Sequence, residues 1–203
     1  MKIIFFLPLL FLFNQNLYAD SPLTSTAISD AYKSSKIIQL ASKAEGKLNI
    51  KLIKYLTKKR KPIELKIALI NKLGWESNGV SNSEIFLQYL KDKNNCQTMD
   101  DFLRRASADD IICMAYLKAL DNYFNVDEAI NLARIAKSKD KESYTIHIIS
   151  SLIEAQKAMK ISFCEVYNIT NNVRIDKSLN TDMNAEAIKI IFDYMVLYKD
   201  DCK

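Results

Sequence analysis

Glycine and proline are scarce in this chain of 203 residues, which contains three of each. None of them follows Gly79, so the 124 residues from 80 to 203 contain neither. The tight turns of β-sheets usually need glycine for a positive φ or proline for a fixed φ, whereas helices can be joined by Asn, Asp, Ser and Lys. The shortage argues against a sheet-rich fold and predicts an all-α protein of about ten helices. It also leaves no glycine-rich loop to cradle a phosphate group.

Histidine is scarcer still, with His147 as its one residue, and the four cysteines are widely spaced. A zinc site needs clustered Cys and His ligands, so we expect neither a metal nor another cofactor. His147, Ser151 and Glu154 would share one face of a helix and superficially match a hydrolase triad. A serine nucleophile also needs an exposed turn and an oxyanion hole, which one regular helix does not provide. We therefore predict a polar stripe between helices and no catalytic activity.

The one long apolar run lies at the start of the chain. Lys2 precedes the apolar residues 3–13, and Ala19 precedes Asp20. A positive residue, a short apolar segment and a small residue at the cut are typical of a secretory signal peptide. The run is shorter than the about 20 residues that a membrane-spanning helix needs. We therefore predict a signal peptide over 1–19, one helical domain over 20–203, a periplasmic or secreted location and no stable membrane anchor. An uncleaved anchor is the alternative.

An even number of cysteines in an exported chain favours disulfides. Cys96, Cys113, Cys164 and Cys202 allow three pairings. Helical hairpins bring sequence neighbours together, so we prefer Cys96–Cys113 with Cys164–Cys202. The alternative is that one or more is a buried thiol, since Cys113 lies in an apolar run.

The densest positive cluster is Lys58, Lys59, Arg60 and Lys61, with Lys54 one turn earlier. At the end of a helix such cations suit the helix dipole, so a solvated helix end is one interpretation. The other is a binding site for an anionic partner: an acidic protein, a lipid headgroup or a cell-wall polymer. Aromatic residues do not alternate with the lysines, and the net charge is only +5, so we predict no nucleic-acid partner.

Trp75 is the chain's one tryptophan and follows Gly74. It could fold back over the end of its helix, in the contact that accompanies glycine caps. It could instead be an exposed anchor for a protein partner, because tryptophan is frequent among binding hot spots.

Apolar residues at helical spacing and capping pairs place the helices. Thr98 with Asp101 and Ser107 with Asp110 predict two helix starts. The helix after Ser107 is apolar on most sides as far as Tyr123 and Phe124, so we predict that its neighbours bury it. Grouped in pairs, the helices form hairpins that begin near 24, 62, 98, 126 and 160, a mean interval of about 34 residues, which is in the range of helical repeats. The predicted helices cover about 24–44, 47–59, 62–74, the segment after 81–83, those after 98 and after 107, the one after 125, and 141–159, 160–173 and 182–199.

One stretch carries a specific resemblance. Asn125-Val126-Asp127-Glu128-Ala129-Ile130, continued by Ala133 and Ala136, resembles the second helix of a tetratricopeptide unit, in which small residues admit the neighbouring helix. The resemblance covers about residues 115–145. It implies stacked antiparallel helical hairpins, as in an α-solenoid of the tetratricopeptide or HEAT type, with a concave protein-binding surface. An irregular helical bundle is the alternative.

Three functions are therefore open. The first is an exported helical-repeat protein that binds another protein, with Trp75 and the Lys58–Lys61 cluster as candidate contacts. The second is a periplasmic immunity or inhibitor protein that neutralises a secreted toxin. The third is a cell-wall glycan hydrolase, which needs two carboxylates across a cleft, at least one with a raised pKa. Glu45 and Glu154 are candidates for that role, but the sequence does not identify a pair.

Overall fold

The computed structural model describes residues 21–75 and 79–203. These residues form ten α-helices and two short 3₁₀ helices, at Ile28–Tyr32 and Val196–Asp201, and no strand beyond one isolated bridge between Ser143 and Asn180. The predicted all-α fold is confirmed. The α-helices are α1 Lys36–Ser42, α2 Ile50–Leu56, α3 Ile63–Leu73, α4 Asn82–Asn94, α5 Met99–Arg105, α6 Ala108–Asp121, α7 Asp127–Lys139, α8 Tyr144–Ala158, α9 Phe163–Ile175 and α10 Ala185–Met195.

Short-range capping fixes several helix starts as predicted. The Ser107 side chain accepts a hydrogen bond from the backbone N–H of Asp110, whose carboxylate accepts from Ser107 in return. Thr98 caps α5 by accepting a hydrogen bond from the backbone N–H of Asp101, without the reciprocal bond. Gly74 ends α3 with φ +75°, a conformation that glycine adopts without strain.

Other helix starts are held by carboxylates that are distant in sequence. Asp121 accepts from the backbone N–H groups of Asn82 and Ser83 at the start of α4. Asp182 accepts from the N–H of Thr145 at the start of α8, at 2.7 Å. A negative charge at a helix N-terminus satisfies free N–H groups and complements the dipole. These contacts lock successive hairpins together without any turn that requires glycine or proline.

The hairpins stack around α6, whose side chains are buried along most of its length. It packs against α3, α4, α7 and α8, while α8 in turn packs against α9. The small side chains Ala129, Ala133 and Ala136 of α7 are all buried, as the close approach of neighbouring helices requires. The buried apolar residues form one core that runs from Leu23 to Met195.

The two ends of the described chain also meet. Helix α10 packs against the 3₁₀ helix Ile28–Tyr32. The backbone N–H of Asn184 donates to Glu64 Oε2 at 2.7 Å, and the Tyr32 hydroxyl donates to the same oxygen at 2.7 Å. Burial and the hydrogen bond to Glu64 raise the pKa of Tyr32 well above its usual value. The last helix is therefore tied to the first elements of the fold.

The boundaries at both ends of the fold differ from prediction. The continuous helix expected over 24–44 is wrong, because the chain forms a 3₁₀ helix, a turn and then α1. The buried Tyr32 ends that 3₁₀ helix, and its hydroxyl donates a hydrogen bond to Glu64 of α3. At the other end, the helix expected over 182–199 covers only 185–195 and continues as the 3₁₀ helix Val196–Asp201.

The cysteines follow half of the preferred pairing. Cys164 and Cys202 form a disulfide, with their Cα atoms 4.7 Å apart. The predicted Cys96–Cys113 bridge is wrong, since both are free and buried. Helix α5 lies between them in the chain, and Cys113 is in the interior of α6, about 9 Å along the helix axis from the N-cap Ser107. Burial raises the pKa of the Cys113 thiol well above its usual value.

The predicted signal peptide, residues 1–19, lies outside the described residues. Within the described ranges, no helix combines the length and apolar character that a bilayer crossing requires.

Candidate protein-binding surface

One end of the helical stack carries a cluster of aromatic side chains. Here α3 and α6 end, and the short connection from α6 to α7 begins. The rings of Trp75 and Tyr123 meet edge to face, with their centroids 5.3 Å apart. The centroids of the Tyr123 and Phe124 rings are 4.3 Å apart. Trp75 is partly buried against the core. Trp75 therefore packs against both the core and Tyr123, and Tyr123 in turn contacts the more exposed Phe124.

Three large apolar residues on this end are open to solvent. Phe124 is 69% exposed and Ile161, in the α8–α9 connection, is 79% exposed, while Phe163 at the start of α9 is half-exposed. We call Trp75, Tyr123, Phe124, Ile161 and Phe163 the end surface. Single exposed apolar residues are ordinary, but a group of them at one end of a fold marks an interaction site.

Three of these residues, Tyr123, Phe124 and Ile161, line two adjoining grooves. One, of about 350 Å³, is lined by Tyr123, Phe124 and Gln156, among others. The other, of about 600 Å³, runs between α7, α8 and α9 and reaches Ile161. Both grooves include Asp127 and Lys157, so they form one continuous concave strip across the ends of three helices.

An ion pair and a hydrogen bond from a lysine to the backbone join the helices and connections that border this strip. Lys157 Nζ lies 2.7 Å from Asp127 Oδ1, and its hydrogen bond lowers the pKa of that carboxyl below the usual value. Lys160 donates to the backbone carbonyl of Phe124 at 2.8 Å, which links the α6–α7 and α8–α9 connections. The apolar residues are therefore presented by short connections that are joined to each other.

The Lys58–Lys61 cluster lies elsewhere. All four side chains are exposed in the turn before α3, and the Lys61 ammonium sits 5.3 Å from the centre of the Tyr55 ring. Trp75 follows the other end of α3, a helix of 11 residues and thus about 16 Å long. The structure therefore does not bring the two predicted groups of contacts together.

The stripe His147, Ser151 and Glu154 does not assemble a triad. The Ser151 hydroxyl donates to the Ile148 carbonyl at 2.7 Å, and Glu154 pairs with Lys137 at 3.2 Å. Burial lowers the pKa of His147, and its Nε2 atom is buried with no hydrogen-bond partner.

Comparisons of the chain with protein-family models, with curated proteins and with solved structures found no match. The arrangement of the residues themselves is therefore the basis for assigning a function.

Sequence reasoning found Trp75 but missed the rest of the end surface. It placed Tyr123 and Phe124 on an apolar helix that must be buried, whereas α6 ends at Asp121 and Phe124 is exposed. A signal was available, because Phe124 stands between Asn122 and Asn125, residues that favour the end of a helix.

Proposed function

We propose that this chain is an exported helical-repeat protein that binds another protein, without catalysis, through the end surface. The observation that carries the proposal is that the exposed side chains of Phe124 and Ile161 line one concave strip, at the end of the stack where the half-exposed Phe163 begins α9. The Cys164–Cys202 disulfide supports the export, because disulfides persist in oxidising compartments.

The chemistry of the end surface suits a protein partner. Aromatic and large aliphatic side chains dominate binding energy when they enter pockets on a partner and lose contact with water. The Tyr123 ring packs against both Trp75 and Phe124, and Lys160 donates a hydrogen bond to the Phe124 carbonyl. Because these side chains are already ordered, binding loses less conformational entropy than it would with a mobile loop.

The charges around the strip suit specificity. Asp127, Glu154 and Glu165 alternate with Arg134 and Lys157 along the groove between α7, α8 and α9. Mixed charges at the edge of an apolar site favour partners with the complementary pattern and oppose others. The partner we infer therefore carries an apolar projection flanked by charges of both signs.

Matched serine substitutions test the proposal. Ile161→Ser alters the end surface, and Ile175→Ser makes the same change at a 61% exposed residue at the far end of α9. Both purified variants and the wild type are cross-linked in envelope extracts of the source cells. We expect a protein retained by the wild type and by Ile175→Ser, with at least about tenfold weaker retention by Ile161→Ser. Circular dichroism checks that each variant is folded.

Two outcomes would count against this function. Equal retention by the two variants would remove the end surface from the interaction. Absence of any retained protein with the wild type would remove the protein-binding function itself.

A further inference from the structure

Charge is distributed unevenly along the described chain. Residues 21–75 contain twelve lysines and arginines against three aspartates and glutamates, a net charge of +9. Residues 79–203 contain sixteen lysines and arginines against nineteen aspartates and glutamates, a net charge of −3. The modest net charge of the whole chain therefore hides a strongly basic part, which contains the first 3₁₀ helix and helices α1, α2 and α3.

Most of the basic residues in this part are open to solvent. Between 36 and 61 nine lysines and arginines accompany a single acid, Glu45. All nine are exposed, and none forms an ion pair with another described residue. We call these nine residues the basic face: Lys36, Lys43, Lys47, Lys51, Lys54, Lys58, Lys59, Arg60 and Lys61.

Helix α2 shows how the face is built. Leu52, Ile53 and Leu56 are buried in the core. At 100° per residue, Lys51 and Lys54 lie on the opposite side of the helix, together with the exposed Ile50. The same surface thus carries two ammonium groups and one apolar side chain, a combination typical of helices that lie on lipid headgroups.

The kind of cation separates the possible anionic partners. Eight of the nine are lysines and one is Arg60. Protein–protein interfaces are enriched in arginine and depleted in lysine, because arginine binds carboxylates with two hydrogen bonds while lysine is a strongly hydrated point charge. Lysines can approach a hydrated layer of diffuse negative charge without losing their own water. The headgroups of anionic phospholipids form such a layer, whereas an interface with an acidic protein excludes water.

We propose that the basic face docks this protein on the surface of anionic phospholipid bilayers, by charge and without insertion of a helix. The proposal is independent of the end surface and its partner. The Lys58–Lys61 turn precedes α3 and Trp75 follows it, so the densest part of the basic face and Trp75 lie at opposite ends of this helix.

The size of the effect follows from the number of cations near the lipid. Each one near an anionic surface contributes about 1 kcal/mol, which is about fivefold in partitioning. Replacing four lysines with glutamine should therefore weaken binding by about 10²–10³-fold. Screening by about 0.5 M salt should weaken it to a similar degree, because the Debye length then falls to a few ångströms.

Sedimentation with lipid vesicles tests the proposal. The chain is used from Asp20 onward, so that the apolar N-terminal segment cannot bind lipid itself; the core described above begins at Leu23. Pure phosphatidylcholine vesicles are compared with vesicles that contain about one third phosphatidylglycerol, at low and high salt. The basic-face variant carries Lys→Gln at positions 51, 54, 58 and 59. The control variant carries the same change at the exposed lysines 141, 177, 199 and 203.

We expect binding to the anionic vesicles alone, lost in high salt and in the basic-face variant but kept within a fewfold in the control variant. Equal losses in the two variants would overturn the proposal, since net charge alone would then explain binding. So would equal binding to neutral vesicles, or no binding by the wild type. Binding to polyaspartate or duplex DNA under conditions where the vesicles stay free would identify a different anionic partner and likewise overturn it.

Discussion

A buried ion pair gives a quantitative test of how this core is stabilised. The Lys66 side chain is 1% exposed, and its Nζ lies 2.6 Å from Oδ2 of Asp109, which is 28% exposed. Removing one member of a buried pair leaves an uncompensated charge and costs about 3–5 kcal/mol, whereas replacing both with apolar groups is often neutral. The position of the more buried member therefore decides which substitution is worse.

We expect Asp109→Asn to lower the free energy of unfolding by about 3 kcal/mol, because the buried Lys66 side chain loses its counter-ion. Lys66→Met should cost less, because water can solvate the partly exposed Asp109. The double variant should be more stable than Asp109→Asn alone. In that variant an unbranched apolar side chain occupies the buried space and no charge remains without a partner.

Urea unfolding followed by far-ultraviolet circular dichroism measures the three changes. With a slope of about 1–3 kcal/mol per molar urea, a loss of 3 kcal/mol lowers the midpoint by at least about 1 M. Asp100→Asn is the matched control, since Asp100 is exposed in the first turn of α5 and has only the helix dipole to lose, about 0.3–1 kcal/mol. The reasoning fails if Asp109→Asn costs no more than this control, or if the double variant is no more stable than Asp109→Asn.

Two further predictions concern the cysteines and the single histidine. Labelling of the unfolded, unreduced chain should modify Cys96 and Cys113 alone. Four labelled cysteines in the unreduced chain would contradict the Cys164–Cys202 disulfide. Reduction of this disulfide should lower the free energy of unfolding by about 4 kcal/mol, because the bridge closes a loop of 38 residues. Proton NMR should place the pKa of His147 below its usual 6.5, because burial favours the neutral ring. The contribution of the neutral ring to stability is then complete above pH 6.5 and is lost as the pH falls through the lower pKa of the folded state. A measured pKa at or above 6.5 would contradict the burial of His147.

How much of the fold can be predicted depends on how far apart the interacting residues are in the sequence. Ser107 and Asp110 are three apart, so their capping box can be recognised in the sequence, and it is present. Asp182 caps α8 across 37 residues, and Glu64 reaches Asn184 across 120. No local pattern marks those acids, because their partners are set by the packing of whole helices. For that reason the helix content was predictable while the closure of the chain on itself was not.

The candidate site shows the same limit at its own scale. The tryptophan was predicted as a contact, because it is unique and follows a helix-ending glycine. Phe124 was assigned to the core, because the apolar spacing of α6 continues for several residues after the helix ends at Asp121. Periodicity does not separate the last turn of a helix from the connection that follows, so an exposed aromatic there has the same pattern as a buried one.

The hydrogen bonds of Glu64 and Tyr32 to the start of α10 also affect the order in which the molecule is completed. A ribosome makes this chain from its N-terminus, so Tyr32 waits for more than 150 residues before Asn184 exists to contact it. Until then the first 3₁₀ helix and α3 lack their final neighbour, and the stack stays open on that side. Contacts between residues so far apart slow the search for the native state. The chain therefore leaves the ribosome before its fold can close, and an unclosed chain is the form that can be threaded through a narrow pore.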